Sequence, residues 1–86
     1  MEIRIIIAEP WDFTSSDGDN LLRAKIIEKG EENFIAVALS SYSIVSNYLI
    51  LKKRDGYGNY NIYATDDVDC EEIKFSMIGK IVNNGL

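Results

Sequence analysis

Residues 44–65, IVSNYLILKKRDGYGNYNIYAT, decide how this chain is read. At their centre Asp55-Gly56-Tyr57-Gly58-Asn59 gathers glycine, aspartate and asparagine, the residues that form tight turns by positive φ or by local side-chain hydrogen bonds. Before the turn, the largely apolar run from Ile44 to Lys53 predicts a strand. After it, Tyr60 to Thr65 returns with Tyr60 and Ile62 alternating against Asn61 and Tyr63, the period of a strand with two different faces. Two such segments around one turn make an antiparallel hairpin.

The same grammar extends towards both termini. Ile3 to Ala8 is a strand with Ile3, Ile5 and Ile7 on one face, ended by Glu9-Pro10 because proline cannot donate to a sheet ladder. Leu21 to Glu28 places Leu22, Ala24 and Ile26 inward and Arg23 and Lys25 in water. The turn Lys29-Gly30-Glu31-Glu32, with glycine expected at positive φ, leads into Asn33 to Leu39. That strand is apolar on both faces and so is expected to be the most buried. Ile73 to Val82 is the last strand, with Phe75 and Met77 opposed to Lys74, Ser76, Ile78 and Lys80, and with Gly79 marking a bulge or bend. Six strands at short intervals predict one domain over residues 1–86, a mostly-β antiparallel barrel of the SH3-like or OB-like size class, partly open. The other arrangement open to this pattern is a curved sheet with one short helix, near Ser40–Asn47 or Asp66–Glu72.

Composition narrows the chemistry. The 86 residues contain no histidine and a single cysteine, Cys70, among 47% hydrophobic and 27% charged residues. Without histidine the usual proton shuttle and the commonest metal ligand are missing. Cys70 sits among acids, which raise a thiol's pKa and blunt it as a nucleophile. Ser40, Ser41, Ser43 and Ser46 have no base nearby in sequence. The loop around Gly18 fails the calcium-loop register, because placing Gly18 sixth puts Phe13 first and Ala24 twelfth. The reading is a non-enzyme with no catalytic residues, no metal and no cofactor. One cysteine asks for no oxidising compartment, and no stretch approaches a signal core or a membrane span, so the expected location is cytoplasmic.

A net charge of −5 opposes phosphate backbones and anionic membranes and complements a basic protein surface. The expected function is therefore an interaction module, an acidic inhibitor or immunity-type protein that masks a partner. The residues assigned to that surface are Trp11, Asp12, Asp17, Asp19, Tyr57, Asp66, Asp67, Asp69, Glu71 and Glu72. Trp11 and Phe13 are large enough to plug one barrel end, or to serve as exposed anchors. A second reading is a nucleic-acid module using Lys52, Lys53, Arg54, Tyr57 and Tyr60 or Tyr63, where basic and aromatic residues interleave. A third is self-assembly through an open sheet edge, at the first or last strand.

Overall fold

Six strands form where the alternation predicts them: β1 (Glu2–Glu9), β2 (Leu21–Lys29), β3 (Asn33–Ala38), β4 (Tyr48–Lys53), β5 (Asn59–Thr65) and β6 (Phe75–Ile81). The structure, a computed structural model, describes residues 1–9, 12–31, 33–69 and 73–82. Each strand pairs antiparallel with the next, and β6 returns to β1 through Ile5↔Ile81, Ile6↔Lys80 and Ile7↔Gly79. The barrel is thus closed rather than partly open, and the free edge expected at β1 or β6 for self-assembly is used up within the chain. Its order is an up-and-down meander, so the OB-like comparison holds for size and not for the Greek-key path. The described residues contain no helix: 40–47 is an irregular connection, as is 66–69.

Closure follows from how the interior is filled. Ile3, Ile5, Ile7, Leu22, Leu49, Leu51, Ile62 and Met77 point inward with Ala24, Ala36 and Ala64 between them. Large and small side chains alternate across the ladder: Leu49 stands between Ala36 and Ala64, and Gly79 between Ile7 and Tyr60. A Cβ on Gly79 would lie 2.7 Å from Ile5 Cγ2 and 2.8 Å from Ile62 Cδ1, so the residue is glycine because the barrel is full there. The irregularity expected at Gly79 lies in its neighbour, where β1 shifts register between Ile7 and Glu9 opposite Gly79 and Ile78. A second bulge lies between Ile26 and Glu28 of β2, and it leaves Ile27 facing water. Bulges of this kind sharpen the local twist and help a small sheet curl round on itself.

Three local expectations change. β4 begins at Tyr48 rather than Ile44, because the ladder ends at Ala36↔Leu49 on one side and Tyr48↔Thr65 on the other. Among the described residues, 44–47 pair with no strand. β3 is not buried on both faces: Ile35 and Val37 are half-exposed on the outside, since a single-layer barrel has nothing to cover them. Gly30 has no positive φ; a Cβ there would approach the Asn33 carbonyl to 3.0 Å, and close passage is what favours glycine.

Both ends of the barrel are stoppered by aromatic pairs. At one end Phe13, from the β1–β2 connection, packs on Tyr42 with ring centroids 6.0 Å apart. At the other, Phe34 of β3 meets Tyr60 of β5 at 5.9 Å. Full burial of each phenylalanine contributes about 1.5–3 kcal/mol. Phe13 therefore takes the plugging role; Trp11, the other residue expected there, lies outside the described residues.

Candidate functional site

The meander sends the three long connections, residues 10–20, 39–47 and 66–74, to one end and the two short turns to the other. Two segments rich in acids in the sequence, far apart along the chain, thereby arrive at the same end. A strand-by-strand reading misses this, because it depends on the parity of crossings around the closed sheet.

The first two loops are stitched together by hydroxyl and backbone groups. Ser16 N–H donates to the Ser41 carbonyl at 2.7 Å, and Ser43 N–H donates to the Thr14 carbonyl at 2.8 Å. In return Ser41 N–H donates to Ser16 Oγ and Thr14 N–H to Ser43 Oγ, each at 3.1 Å. The Ser43 hydroxyl also reaches the Asp12 carbonyl at 3.3 Å. Ser41 and Ser43, which looked idle as nucleophiles, form the seam of the site with Thr14 and Ser16. Their signal was present in the sequence as two matching hydroxyl-rich runs, Thr14-Ser15-Ser16 and Ser40-Ser41-Tyr42-Ser43.

Asp17 is tied to its neighbours. Its carboxylate accepts a hydrogen bond from Ser40 Oγ and another from Arg23 Nε at 3.0 Å, while Arg23 also reaches Glu2 at 3.3 Å. The Ser40 hydrogen bond, then Arg23, holds the Asp17 carboxyl below its usual range, and Asp17 holds the Arg23 guanidinium above its own. Ser40 is buried and its Oγ accepts the Arg23 N–H at 2.9 Å, so this serine–carboxylate contact anchors the loop. Asp12 and Asp19 are exposed beside it.

The third connection joins through Asn47, whose Nδ2 donates to the Asp66 carbonyl at 3.1 Å, and through Lys74, which pairs with Asp66 at 3.0 Å and donates to the Val45 carbonyl at 3.3 Å. Asp67 accepts the Asp69 N–H at 2.9 Å, folding the segment into a local turn with both carboxylates exposed. Val45, 78% exposed, stands on the loop that lies between the two acidic segments. Burial holds the Tyr42 hydroxyl neutral to higher pH than usual, and Asp66 adds to this. Glu71 and Glu72 lie outside the described residues, as does Cys70.

The remaining predicted residues divide. Tyr57 is 82% exposed, but on the β4–β5 turn at the opposite end, so it shares no surface with the acids. Lys52 lies over the Tyr63 ring, 5.5 Å from its centroid, on the outer wall, and Arg54 reaches Asn61 Oδ1 at 3.3 Å. Tyr60 points inward, is 7% exposed and packs on Phe34, so it offers no stacking face. Lys53 is exposed at the turn. Arg23, Lys74 and the serine seam are participants the sequence did not single out.

No protein-family model, curated protein or solved structure matches this chain.

Proposed function

We propose that this barrel is a non-catalytic protein-interaction module that docks its acidic end onto a basic surface of another protein and masks it. The observation that supports this reading is the gathering of Asp12, Asp19, Asp66, Asp67 and Asp69 at one end, on loops cross-tied by the Ser16–Ser41, Thr14–Ser43 and Asn47–Asp66 hydrogen bonds. Loops tied down in advance lose less entropy on binding. Exposed carboxylates steer a cationic partner and make association fast and salt-sensitive. Val45 supplies an apolar contact among the charges, where a desolvated centre strengthens the polar rim. The absence of histidine and the setting of the module in the cytoplasm belong to the same proposal.

The test begins with a tagged pull-down at low and high salt. A basic partner retained only at low salt is then carried into stopped-flow association. Replacing Asp66, Asp67 and Asp69 together by asparagine should slow association at least about tenfold at low salt. An unchanged rate would overturn the reading.

A further inference from the structure

The end of the barrel opposite the acidic loops holds a recess of about 310 Å³ lined by Lys53, Asp55, Gly56, Gly58 and Tyr60. We propose that this recess and the exposed Tyr57 ring of the same turn bind one nucleotide unit, with the base stacked on Tyr57 and the phosphate held by Lys53 and Lys80. The inference concerns a different end of the molecule and does not depend on the docking of the acidic loops.

The turn is built to hold Tyr57 out. Asp55 Oδ1 accepts the Tyr57 N–H at 2.8 Å and the Asn59 N–H at 3.3 Å, Asp55 Oδ2 accepts Asn59 Nδ2 at 2.8 Å, and Arg54 N–H closes onto the Asn59 carbonyl at 3.0 Å. An aromatic ring that is 82% exposed on a turn fixed by four hydrogen bonds is a preorganised stacking surface. Gly58, at φ +87°, adopts a conformation side chains disfavour, and the position of its missing Cβ lies 3.8 Å from Lys80 Cε. Lys80 of β6 thus lies beside Gly58, a residue that lines the recess.

Charge at this end favours an anion. Lys53 lines the recess together with Asp55, Arg54 acts on Asp55 and Lys80 lies beside Gly58; the Asp55 oxygens are occupied by the turn and its carboxyl is held low by Asn59 first and by the Tyr57 N–H. Glu28, near the end of β2, and Glu31, in the β2–β3 turn, do not line the recess. The acidic loops lie beyond the far end of β5, whose seven residues at about 3.3 Å each span about 20 Å. That is more than two screening lengths of about 8 Å at physiological ionic strength, so there the net charge of −5 overstates the repulsion met at this end. An acidic side chain would use the lysines alone, whereas a nucleotide uses the lysines and the ring. The volume matches the lower limit of small-ligand sites.

Titration of the isotopically labelled protein followed by amide NMR tests this, with uridine monophosphate, a short oligothymidylate strand and inorganic phosphate as separate probes at about 50 mM salt. Shifts confined to residues 53–60 and Lys80 are expected with the first two. A strand binding at least about tenfold tighter than the mononucleotide identifies single-stranded nucleic acid as the source, and equal affinity identifies free nucleotide. Tyr57→Ala and Gly56→Glu should each weaken binding about tenfold. Neither is expected to disturb the fold, since Tyr57 is exposed and a Cβ on Gly56 meets nothing within 4 Å. No shifts, the same shifts with inorganic phosphate alone, or affinity unaltered in either variant would overturn the proposal.

Discussion

The two ends of the barrel are closed by the same device and built for different purposes. Each carries a phenylalanine and a tyrosine with ring centroids about 6 Å apart. At the hairpin end, Phe34 and Tyr60 belong to strands, so the stopper is part of the ladder and the connections are short. At the acidic end, Phe13 and Tyr42 belong to loops that are tied to one another by serine and backbone hydrogen bonds. A stopper carried by loops leaves the surrounding chain free to bear charge; a stopper carried by strands stiffens whatever turn lies above it.

Truncating the stoppers should break this comparison most visibly. Phe→Ala in a core costs about 3–5 kcal/mol, depending on how far the site collapses. Phe34→Ala is expected at the top of that range, with global loss of stability in urea titration. Phe13→Ala should fall near the bottom, with hydrogen exchange accelerated in 12–20 and 39–47 while β4 and β5 stay protected. Equal losses, both global, would mean that the loop stopper is as integral as the strand one.

Gly79 lies in the wall shared by both ends, and Gly79→Ala should cost about 1–3 kcal/mol by overpacking against Ile5 and Ile62. A neutral effect would show that the barrel has slack at the β1 bulge.

Smaller effects sharpen the acidic end. Asp17 has its folded pKa lowered, by Ser40 and then Arg23. Its contribution is complete above the ordinary aspartate value near 3.9 and fades as pH falls through the lower folded value. Asp17→Asn should therefore be less stable than the parent at pH 7, with the gap closing in acid. A gap of constant size down to the most acidic measurements would mean that the charge is not what anchors the loop. Burial raises the pKa of Tyr42, so the stability it confers is complete below about pH 10 and is lost as pH rises through the folded value. Tyr42→Phe should remove that alkaline loss, at a cost of about 0.5–1.5 kcal/mol at neutral pH for its hydrogen bond to the Ser46 carbonyl. The exposed Lys74–Asp66 pair contributes least: Lys74→Ala is expected to change stability by less than about 1 kcal/mol.

The sequence by itself determined the strands and their inward faces. Period-two alternation at Ile3, Ile5 and Ile7, at Leu22 and Ala24, and at Tyr60 and Ile62 is a local property, and water enforces it wherever one face is buried. The Asp55–Asn59 turn was equally legible, because its residues make their own hydrogen bonds. Charge and the missing histidine were plain from composition. Only the closed fold pairs β6 with β1, gathers both acidic segments at one end, puts Tyr57 at the other and lays Lys80 beside Gly58. It also ties Asp17 to Ser40 and Arg23 and turns Tyr60 into the core. These are relations between residues far apart in the chain, set by the order in which strands close and by how their side chains share one interior, and no local pattern encodes them.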